Sequence, residues 1–522
     1  MLLLRTRALL CIALAVGATL GGCSYDDTNG PGNRVDVSPA NDTIVTGATI
    51  TPDDTLRLEA EVVSEAGVPI PSAPVTWTSS EPTVATVDSA GLVRAVGYGT
   101  TRVTARSGDR EAVAIVTVLR EEGGSVGIDS VFTQISAGRD FTCATTSLGR
   151  AYCWGIDSTE QLGAVETDTV CINSFEQPEF DEEEGRIRND YECSLLPVRV
   201  QSDRTIKQAI AGGQHGCIIA DNGESFCFGQ ADSGQTGNGI TVVDIDVPVL
   251  VTSALQFDGI TGGEIHTCGI LAGGGGVAYC WGYDGNGQLG NLVRASSTTP
   301  IPVEGGIVWR QVSAGRVNTC GVAVVGFAYC WGDNSAGQLG NPAFIPQSDV
   351  PVQVQIGGPL TFISISVGGP TACGVVAPVS STSGTVYCWG AGGDGQLGNG
   401  ALTSSATPVQ VPGLSGIRQV AVGETHVCAI SEETSGNLYC WGRYNLDRLR
   451  PTPPNEPRDF IGAAPVKIGT VTFTAISSGR RHSCGVTEAG AAYCWGSNVL
   501  GPFGDGLQAL LRTEPQRVQT PR

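Results

Sequence analysis

One motif recurs through most of this 522-residue chain: an aromatic residue, a cysteine, a tryptophan or phenylalanine, and a glycine. Its cysteine falls at positions 153, 227, 280, 330, 388, 440 and 494, at intervals of 74, 53, 50, 58, 52 and 54 residues. A period near 50 residues is typical of propellers and repeat arrays. Residues 128–522 are therefore predicted to contain seven copies of one supersecondary unit.

Each copy reads as a short succession of strands and turns. Glycine accounts for 73 of the 522 residues, about twice the usual share of roughly 7%, which favours a turn-dense all-β protein over a helical bundle. The order is P-V-x-V, an apolar run ending in glycine, a cysteine-bearing strand, a hairpin, the second cysteine strand and a G-Q-L-G turn. The glycine five residues before each upstream cysteine is Gly138, Gly212, Gly263, Gly315, Gly368, Gly423 or Gly479.

The motif order Gly-x-x-His-x-Cys, Tyr-Cys-Trp-Gly and Gly-Gln-Leu-Gly, clearest at 263–290 and 315–340, resembles the repeat of the regulator of chromosome condensation family. The resemblance implies a seven-bladed β-propeller over residues 128–522. Residues 514–518 resemble P-V-x-V with no repeat after them, and the first repeat begins without one. We expect this C-terminal strand to complete the first blade and so close the ring.

A second, smaller domain precedes the repeats. Residues 34–119 alternate apolar and polar positions in short runs between turn signals, as in a β-sandwich. The segments 75–82, 84–88 and 91–93 resemble the bacterial group 2 immunoglobulin-like domain, whose members serve as spacers in bacterial surface proteins. Trp77 is expected to lie in the core between the sheets, with a ligand platform as the alternative. Residues 120–127 are expected to be a linker.

The first 33 residues predict export and a tether. Residues 1–22 combine a basic start with an apolar stretch too short to span a bilayer, which indicates a signal peptide. The ending Leu-Gly-Gly-Cys resembles a bacterial lipobox and implies lipid attachment at Cys23, with ordinary signal cleavage as the alternative. Residues 23–33 are polar and turn-rich, as in a flexible tether. The predicted location is the cell envelope, at the outer membrane or cell surface.

Cysteine spacing predicts a disulfide framework. Of 18 cysteines, Cys11 leaves with the leader and Cys23 would carry the lipid, so 16 remain. Export favours disulfides, and the short spacings of zinc sites are absent. We expect seven local pairs, with the last two cysteines paired by elimination: Cys143 with Cys153, Cys217 with Cys227, Cys268 with Cys280, Cys320 with Cys330, Cys373 with Cys388, Cys428 with Cys440, Cys484 with Cys494, and Cys171 with Cys193.

The four histidines, His215, His266, His426 and His482, each lie two residues before an upstream repeat cysteine. Other copies carry Phe, Asn or Thr there, so a structural role is expected, with a channel-facing metal ring as the alternative. The sequence contains no P-loop, G-x-S-x-G or H-E-x-x-H motif. No catalytic residue, metal or cofactor is predicted.

A net charge of −21 disfavours nucleic-acid binding. Repeat one carries an insertion near 164–195 with an acidic run, and repeat six replaces G-Q-L-G and adds a proline-rich loop at 451–457. Insertions in repeat proteins map to loops, where binding usually occurs, although drift in a tolerant loop is the alternative. Within the run, Asp181, Glu182, Glu183 and Glu184 are the candidate binding residues.

The predicted function is therefore a binding module for a protein or surface polymer on a lipid-anchored envelope protein. The family that the repeats resemble includes a nucleotide exchange factor. This chain matches only the motifs that build the propeller scaffold, so no GTPase partner is expected. The alternatives are an extracellular carbohydrate- or peptidoglycan-active enzyme with carboxylates at the propeller mouth, and a passive surface-layer component.

Overall fold

The structure is a computed structural model with two compact units, 1–120 and 121–522. It describes residues 34–38, 41–46, 55–64, 69–71, 73–97, 99–108, 110–120, 131–164, 169–172, 179–181, 186–188, 190–241, 244–252, 255–273, 275–343, 345–357, 361–378, 381–432, 436–444, 460–498, 501–507 and 509–519. These residues form strands, turns and bends but no helix. Accordingly, none of the described segments is a helix suited to crossing a bilayer.

The described residues of the first unit form nine strands in three sheets: β1–β4, β2–β9–β8–β5 and β3–β7–β6. Buried residues from the two larger sheets share one core, in which Val93 and Ala95 meet Val103 and Val116. Trp77 packs against that core, so its apolar ring joins the two sheets. The strands are β1 (Arg34–Ser38), β2 (Asn41–Thr46), β3 (Thr55–Arg57), β4 (Glu59–Val63), β5 (Thr76–Ser79), β6 (Ala85–Val87), β7 (Leu92–Ala95), β8 (Gly99–Ser107) and β9 (Arg110–Arg120).

The second unit begins with a sheet whose order is β10–β11–β12–β16–β13, beside a separate hairpin of β14 and β15. The strands β13, β14 and β15 come from the repeat-one insertion. The bounds are β10 (Phe132–Ala137), β11 (Phe141–Thr146), β12 (Ala151–Ile156), β13 (Thr169–Ile172), β14 (Glu179–Asp181), β15 (Arg186–Arg188) and β16 (Asp190–Arg199).

Each later sheet of this unit has four antiparallel strands in chain order. The sheets comprise β17 (Ile206–Ala211), β18 (His215–Ala220), β19 (Ser225–Gln230) and β20 (Asp244–Leu250); β21 (Phe257–Gly262), β22 (His266–Leu271), β23 (Ala278–Gly282) and β24 (Ser297–Pro302); β25 (Trp309–Ala314), β26 (Asn318–Ala323), β27 (Ala328–Asp333) and β28 (Gln347–Gln353); β29 (Thr361–Val367), β30 (Thr371–Ala377), β31 (Thr385–Gly390) and β32 (Ser405–Gln410); β33 (Ile417–Val422), β34 (His426–Ser431), β35 (Asn437–Arg443) and β36 (Phe460–Thr472); and β37 (Ala475–Ser478), β38 (His482–Val486), β39 (Ala492–Asn498) and β40 (Ala509–Arg517).

The expectation that the C-terminal strand completes the first sheet is wrong. Strand β40 pairs with β39 of the last sheet, where Arg517 lies opposite Tyr493. The reason is where one sheet ends and the next begins. A P-V-x-V segment forms the fourth strand of its sheet and pairs with the third strand that comes before it in the chain. In the first sheet, for example, Val198 lies opposite Cys153. Each described sheet of this unit is thus one continuous stretch of chain, and none of the described strands is shared between the two ends of the unit.

The ring closes instead through a shared core and through hydrogen bonds between the first and last sheets. Every two neighbouring sheets share a buried core, and residues of the last sheet, including Val486 and Cys494, share one with Ile135 and Trp154 of the first. The Ala137 N–H also donates to Ser477 Oγ at 2.9 Å across this junction. The described sheets of the second unit therefore form a closed ring.

Candidate functional site

The first strand of each sheet lines the centre of the ring and is followed directly by the glycine that the sequence singled out. An added Cβ on each of these glycines would collide with the carbonyl oxygen of the next glycine in the ring, from Gly138 through Gly479 and back to Gly138. Only glycine permits this approach. The seven turns form a collar, which we call the glycine collar, around a cavity of about 190 Å³.

Charged side chains follow the collar glycines. The residues at the next position are Arg139, Gly213, Glu264, Arg316, Gly369, Glu424 and Arg480, and all of them line the cavity. We call the opening that these residues surround the mouth. It concentrates three arginines and two glutamates on a protein whose net charge is −21.

One glycine lets an ion pair cross the mouth between sheets that are not neighbours. Arg139 reaches over Gly213 to Glu264, with 2.9 Å between Nη1 and Oε1. Between adjacent sheets, Glu424 accepts from Arg480 Nε at 2.7 Å. Beside this network, Arg481 donates twice to Asp140 Oδ1, at 3.1 and 2.7 Å, across the junction of the last and first sheets.

Below the collar the ring encloses a polar space of about 270 Å³. Inner strands bond to each other there through side chains: Gln208 Oε1 accepts from the Ile260 N–H, and its Nε2 donates to the Ile260 carbonyl, both at 3.0 Å. Gln311 and Gln419 make the same paired bonds to the inner strands that follow them. These amides are engaged in holding the ring, so the channel wall is structural.

The histidines lie between sheets. His215 Nε2 is 2.8 Å from Thr267 Oγ1 of the next sheet, and that hydroxyl donates to the Gln235 carbonyl at 2.9 Å. Trp281 Nε1 donates to the same carbonyl at 3.0 Å. The same network recurs at His266 with Thr319, Gln288 and Trp331, and at His482 with Thr142, Pro502 and Trp154.

These bonds fix the form of the imidazole. Because the threonine proton is donated to a carbonyl, Nε2 must carry the hydrogen that the hydroxyl accepts. Burial without a counter-charge lowers the pKa of His215 to about 4 and those of His266, His426 and His482 to about 3. The four rings are therefore neutral at pH 7, and those of His215, His266 and His482 act as inter-sheet donors.

Sequence reasoning assigned these histidines a structural role but missed their partners. The available signal was the residue immediately before the upstream cysteine of the following repeat. In the repeat that follows a histidine repeat, this residue carries a hydroxyl group: Thr267, Thr319, Ser483 or Thr142. In the repeat that follows any other, it carries none: Gly216, Ala372 or Val427.

Seven disulfides link the second and third strands of the described sheets. Within each, the two cysteines lie directly opposite each other across the antiparallel pair, with 4.0 to 4.1 Å between the Cα atoms. They are the seven local pairs predicted from spacing: Cys143 with Cys153, Cys217 with Cys227, Cys268 with Cys280, Cys320 with Cys330, Cys373 with Cys388, Cys428 with Cys440, and Cys484 with Cys494.

The eighth predicted pair is only partly visible. Cys193 is fully buried in strand β16 and is disulfide-bonded. Strand β13, which holds its predicted partner Cys171, pairs with β16, so that Cys171 lies opposite Tyr191 and Thr169 opposite Cys193. The side chain of Cys171 lies outside the described side chains, so this pairing stays a prediction.

The acidic candidate residues are only partly within the described chain. Strands β14 and β15 pair with Asp181 opposite Arg186, and Glu182, Glu183 and Glu184 fall between them, outside the described residues. Cys23 also lies outside them. On the neighbouring described surface, burial and the Glu192 carboxylate raise the pKa of Glu160.

Repeat six, which lacks the G-Q-L-G turn, fills the gap with an aromatic side chain. Tyr444 is 1% exposed, and its ring centroid lies 4.5 Å from that of His426. In other repeats the corresponding space holds the turn whose carbonyl accepts from the next tryptophan. The second unit therefore keeps its packing where the motif is lost.

Among the described residues no group of three or more His, Cys, Asp or Glu side chains is placed to hold a metal ion. The mouth offers guanidinium and carboxylate groups in ion pairs, an arrangement suited to recognising charged groups on another molecule.

Comparison with protein families confirms the resemblances to the regulator of chromosome condensation repeat and to the group 2 immunoglobulin-like domain. The model of the regulator of chromosome condensation (RCC1) repeat matches residues 326–373 and 383–430, and a second RCC1 repeat model matches 132–161, 417–446 and 473–501. The model of the bacterial Ig-like domain (group 2) matches residues 34–118.

Curated relatives share the repeat region. The E3 ubiquitin-protein ligase HERC2 of Mus musculus is 26% identical over 376 residues, which cover 70% of this chain and 7% of that protein. The ultraviolet-B receptor UVR8 of Arabidopsis thaliana is 29% identical over 360 residues, covering 65% of this chain and 76% of the receptor. The chain thus spans only a small part of the ligase.

Solved structures show the same fold. Human WBSCR16 has a TM-score of 0.56 at 21% identity, covering 71% of this chain and 94% of that one. Yeast RCC1 (Prp20), solved with Kap60, has a TM-score of 0.56 at 17% identity, covering 76% and 89%. The chain therefore carries RCC1 repeats in an RCC1-like β-propeller, preceded by a group 2 bacterial Ig-like domain.

Proposed function

We propose that this chain is an exported, lipid-anchored envelope protein whose seven-bladed propeller binds a protein or a surface polymer. The lipid is attached at Cys23, and the immunoglobulin-like β-sandwich acts as a spacer. The observation that carries the proposal is the location of the largest departures from the repeat. Both the acidic insertion of repeat one and the altered segment of repeat six lie between a third and a fourth strand.

That connection starts at the glycine collar. The third strand of the first sheet ends where the Ile156 N–H donates to the Asp140 carbonyl, 3.1 Å away, in the collar turn. In the sixth sheet the Arg443 N–H likewise donates to the Thr425 carbonyl at 2.8 Å. Both variable segments therefore leave the ring at the end that carries the charged mouth.

The chain enters the ring at its other end. The Val131 carbonyl accepts from the Ser147 N–H of the first hairpin, and the Phe132 N–H donates to the Gly490 carbonyl of the last hairpin. We call this the hairpin end. The proposed binding surface is the opposite, collar end, where both variable segments leave the ring.

The two mouth carboxylates favour binding over glycan hydrolysis. Glu264 and Glu424 each hold an arginine at 2.9 and 2.7 Å. A glycosidase needs one carboxyl group free to protonate the leaving group and a second free to act on the sugar. Ion-paired glutamates are better suited to shaping a charged binding surface.

The proposal is tested by capture from the envelope and culture medium of the producing cell, with residues 24–522 as bait. The matched control neutralises Asp181, Glu182, Glu183 and Glu184 to their amides, which keeps the length of the insertion and the pairing of β14 with β15. We expect a partner that the unmodified bait retains and the neutralised bait retains at least about tenfold less, since complementary charge sets encounter and specificity.

Lipid attachment is tested separately by mass spectrometry of the full chain produced with its leader. A Cys23→Ser variant should lose the diacylglycerol mass and leave the membrane fraction. If the native chain carried no lipid, the anchor would be wrong. Equal capture by both baits would remove the acidic insertion from the binding site.

A further inference from the structure

The mouth contains one more arginine than its glutamates can hold closely. Arg139 is paired with Glu264 at 2.9 Å, and Arg480 with Glu424 at 2.7 Å. The third arginine, Arg316, comes no nearer than 4.0 Å to Glu424, whose carboxylate already accepts the shorter bond. Among the described residues, the Arg316 guanidinium therefore has only a long ion pair, with a carboxylate that it shares with Arg480.

Arg316 is also the most exposed of the three. Its side chain is 59% exposed, against 33% for Arg139 and 34% for Arg480. The next sheet places Gly369 at the equivalent position, and the Glu424 side chain of the following sheet lies over that glycine to make the 4.0 Å contact. At 59% exposure, most of the Arg316 side chain still faces solvent at the mouth.

Polar groups at the junction behind Arg316 lack hydrogen bonds that the rest of the collar makes. At the equivalent positions, backbone N–H groups such as that of Glu264 donate to a carbonyl of the adjoining sheet. Within the described residues the Arg316 N–H makes no such bond. Asn318 behind it is fully buried, and neither its Oδ1 nor its Nδ2 has a partner there.

The size of the cavity limits what can enter. Sites for whole small molecules usually measure about 300 to 1,000 Å³. The mouth measures about 190 Å³ and is lined by collar backbone and the five charged side chains. It is large enough for the end of one side chain.

We propose that the mouth binds a single carboxylate group of a partner polypeptide, an acidic side chain or the chain terminus, through Arg316. The inference rests on the proposed binding function and names the group that the propeller recognises. The incoming carboxylate takes the place of the 4.0 Å contact with Glu424 and leaves the short pair of Glu424 with Arg480 intact. Arginine suits this role because its planar fork matches a carboxylate.

The test follows arginine side chains directly. Residues 24–522 are produced with ¹⁵N-arginine, and the Nε–H signal of Arg316 is assigned by its loss in Arg316→Gln. The probes are the blocked peptide acetyl-Gly-Asp-Gly-amide, its Asn counterpart, and inorganic phosphate, all at low ionic strength to limit screening. The internal control is Arg204, which is 47% exposed and already paired with Glu224 at 3.2 Å.

We expect the aspartyl peptide to shift the Arg316 signal saturably, the Asn peptide to leave it in place, and Arg204 to stay unchanged. Calorimetry should show at least about tenfold weaker binding of the aspartyl peptide to Arg316→Gln, as for loss of a charge-assisted bond. No shift at Arg316 would overturn the site. A shift with phosphate but not with the aspartyl peptide would overturn the polypeptide carboxylate as its ligand. Because the measurement needs no envelope partner, its failure is separable from a failed capture.

Discussion

The buried histidines predict that the propeller loses stability as the pH falls below about 6.5. Burial lowers the pKa of His215 to about 4 and those of the other three to about 3, while an unfolded chain keeps the ordinary value of 6.5. On acidification the unfolded state therefore binds protons first. Stability from these groups is complete above pH 6.5 and is lost as the pH falls towards 4.

The size of the effect follows from linkage. Between pH 6.5 and pH 5.5 each histidine costs about 1 kcal/mol of unfolding free energy, so the four together cost about 4 kcal/mol. Asp284 acts in the opposite direction, since burial raises its pKa to about 6 and the folded state then gains a proton more readily. Over the same pH interval Asp284 restores less than about 1 kcal/mol of the unfolding free energy.

The assay is guanidinium unfolding of residues 24–522 at the two pH values, followed by tryptophan fluorescence. Seven of the eight tryptophans lie in the second unit, so the signal reports the propeller. The matched variant is His266→Asn, because the protein itself has Asn318 at the equivalent position. We expect the variant to lose about a quarter less stability on acidification. An unchanged pH dependence in this variant would refute the assignment of the effect to the histidines.

Three further outcomes follow from the packing. Removing 509–519 strips the outer strand from the last sheet, and thermal melting should shift down by at least about 5 °C; an unchanged midpoint would show that β40 contributes nothing. Thr319→Val leaves the N–H of buried His266 without its acceptor and should cost about 1 to 3 kcal/mol in chemical unfolding at pH 7.5. Tyr444→Ala opens a cavity beside Trp495 and should cost about 3 to 5 kcal/mol, with a red shift of tryptophan emission; a loss below about 1 kcal/mol would mean that the site collapses.

Much of the fold was predictable because the repeat is strict. The register between neighbouring strands is the same in every copy of the motif. The paired cysteines therefore face each other across antiparallel strands, as Cys143 and Cys153 do. The collar glycines were visible for the same reason. The alternation of apolar residues predicted the β character of the first unit, and its match to the group 2 Ig-like family agrees.

The phase of the repeat was not predictable from one sequence. Residues 514–518 resemble the start of a repeat, yet their strand pairs with the third strand before it. Periodicity gives the length of a unit and not the point at which one sheet ends, since a P-V-x-V strand is equally compatible with the sheet on either side. Closure by contacts between the first and last sheets, such as the bond from the Ala137 N–H to Ser477 Oγ, has no sequence motif that would have predicted it.

The sequence alone did not predict the mouth. Arg139 and Glu264 are 125 positions apart and meet because Gly213 between them has no side chain. Nothing local marks such a pair, since the ring brings together one position from every repeat. The pairing of each histidine with a hydroxyl of the next sheet did leave a signal, in the residue before the following upstream cysteine.

If the propeller binds its partner at the collar end, cross-linking mass spectrometry of the captured complex should find the partner there. One variant carries a photoreactive group at Gln214, in a collar turn, and a second variant carries it at Val325, in a hairpin. Both positions lie in described turns at opposite ends of the strands. We expect cross-links to the partner from position 214 and none from position 325. Cross-links from position 325 alone would place the binding surface at the hairpin end and refute binding at the collar.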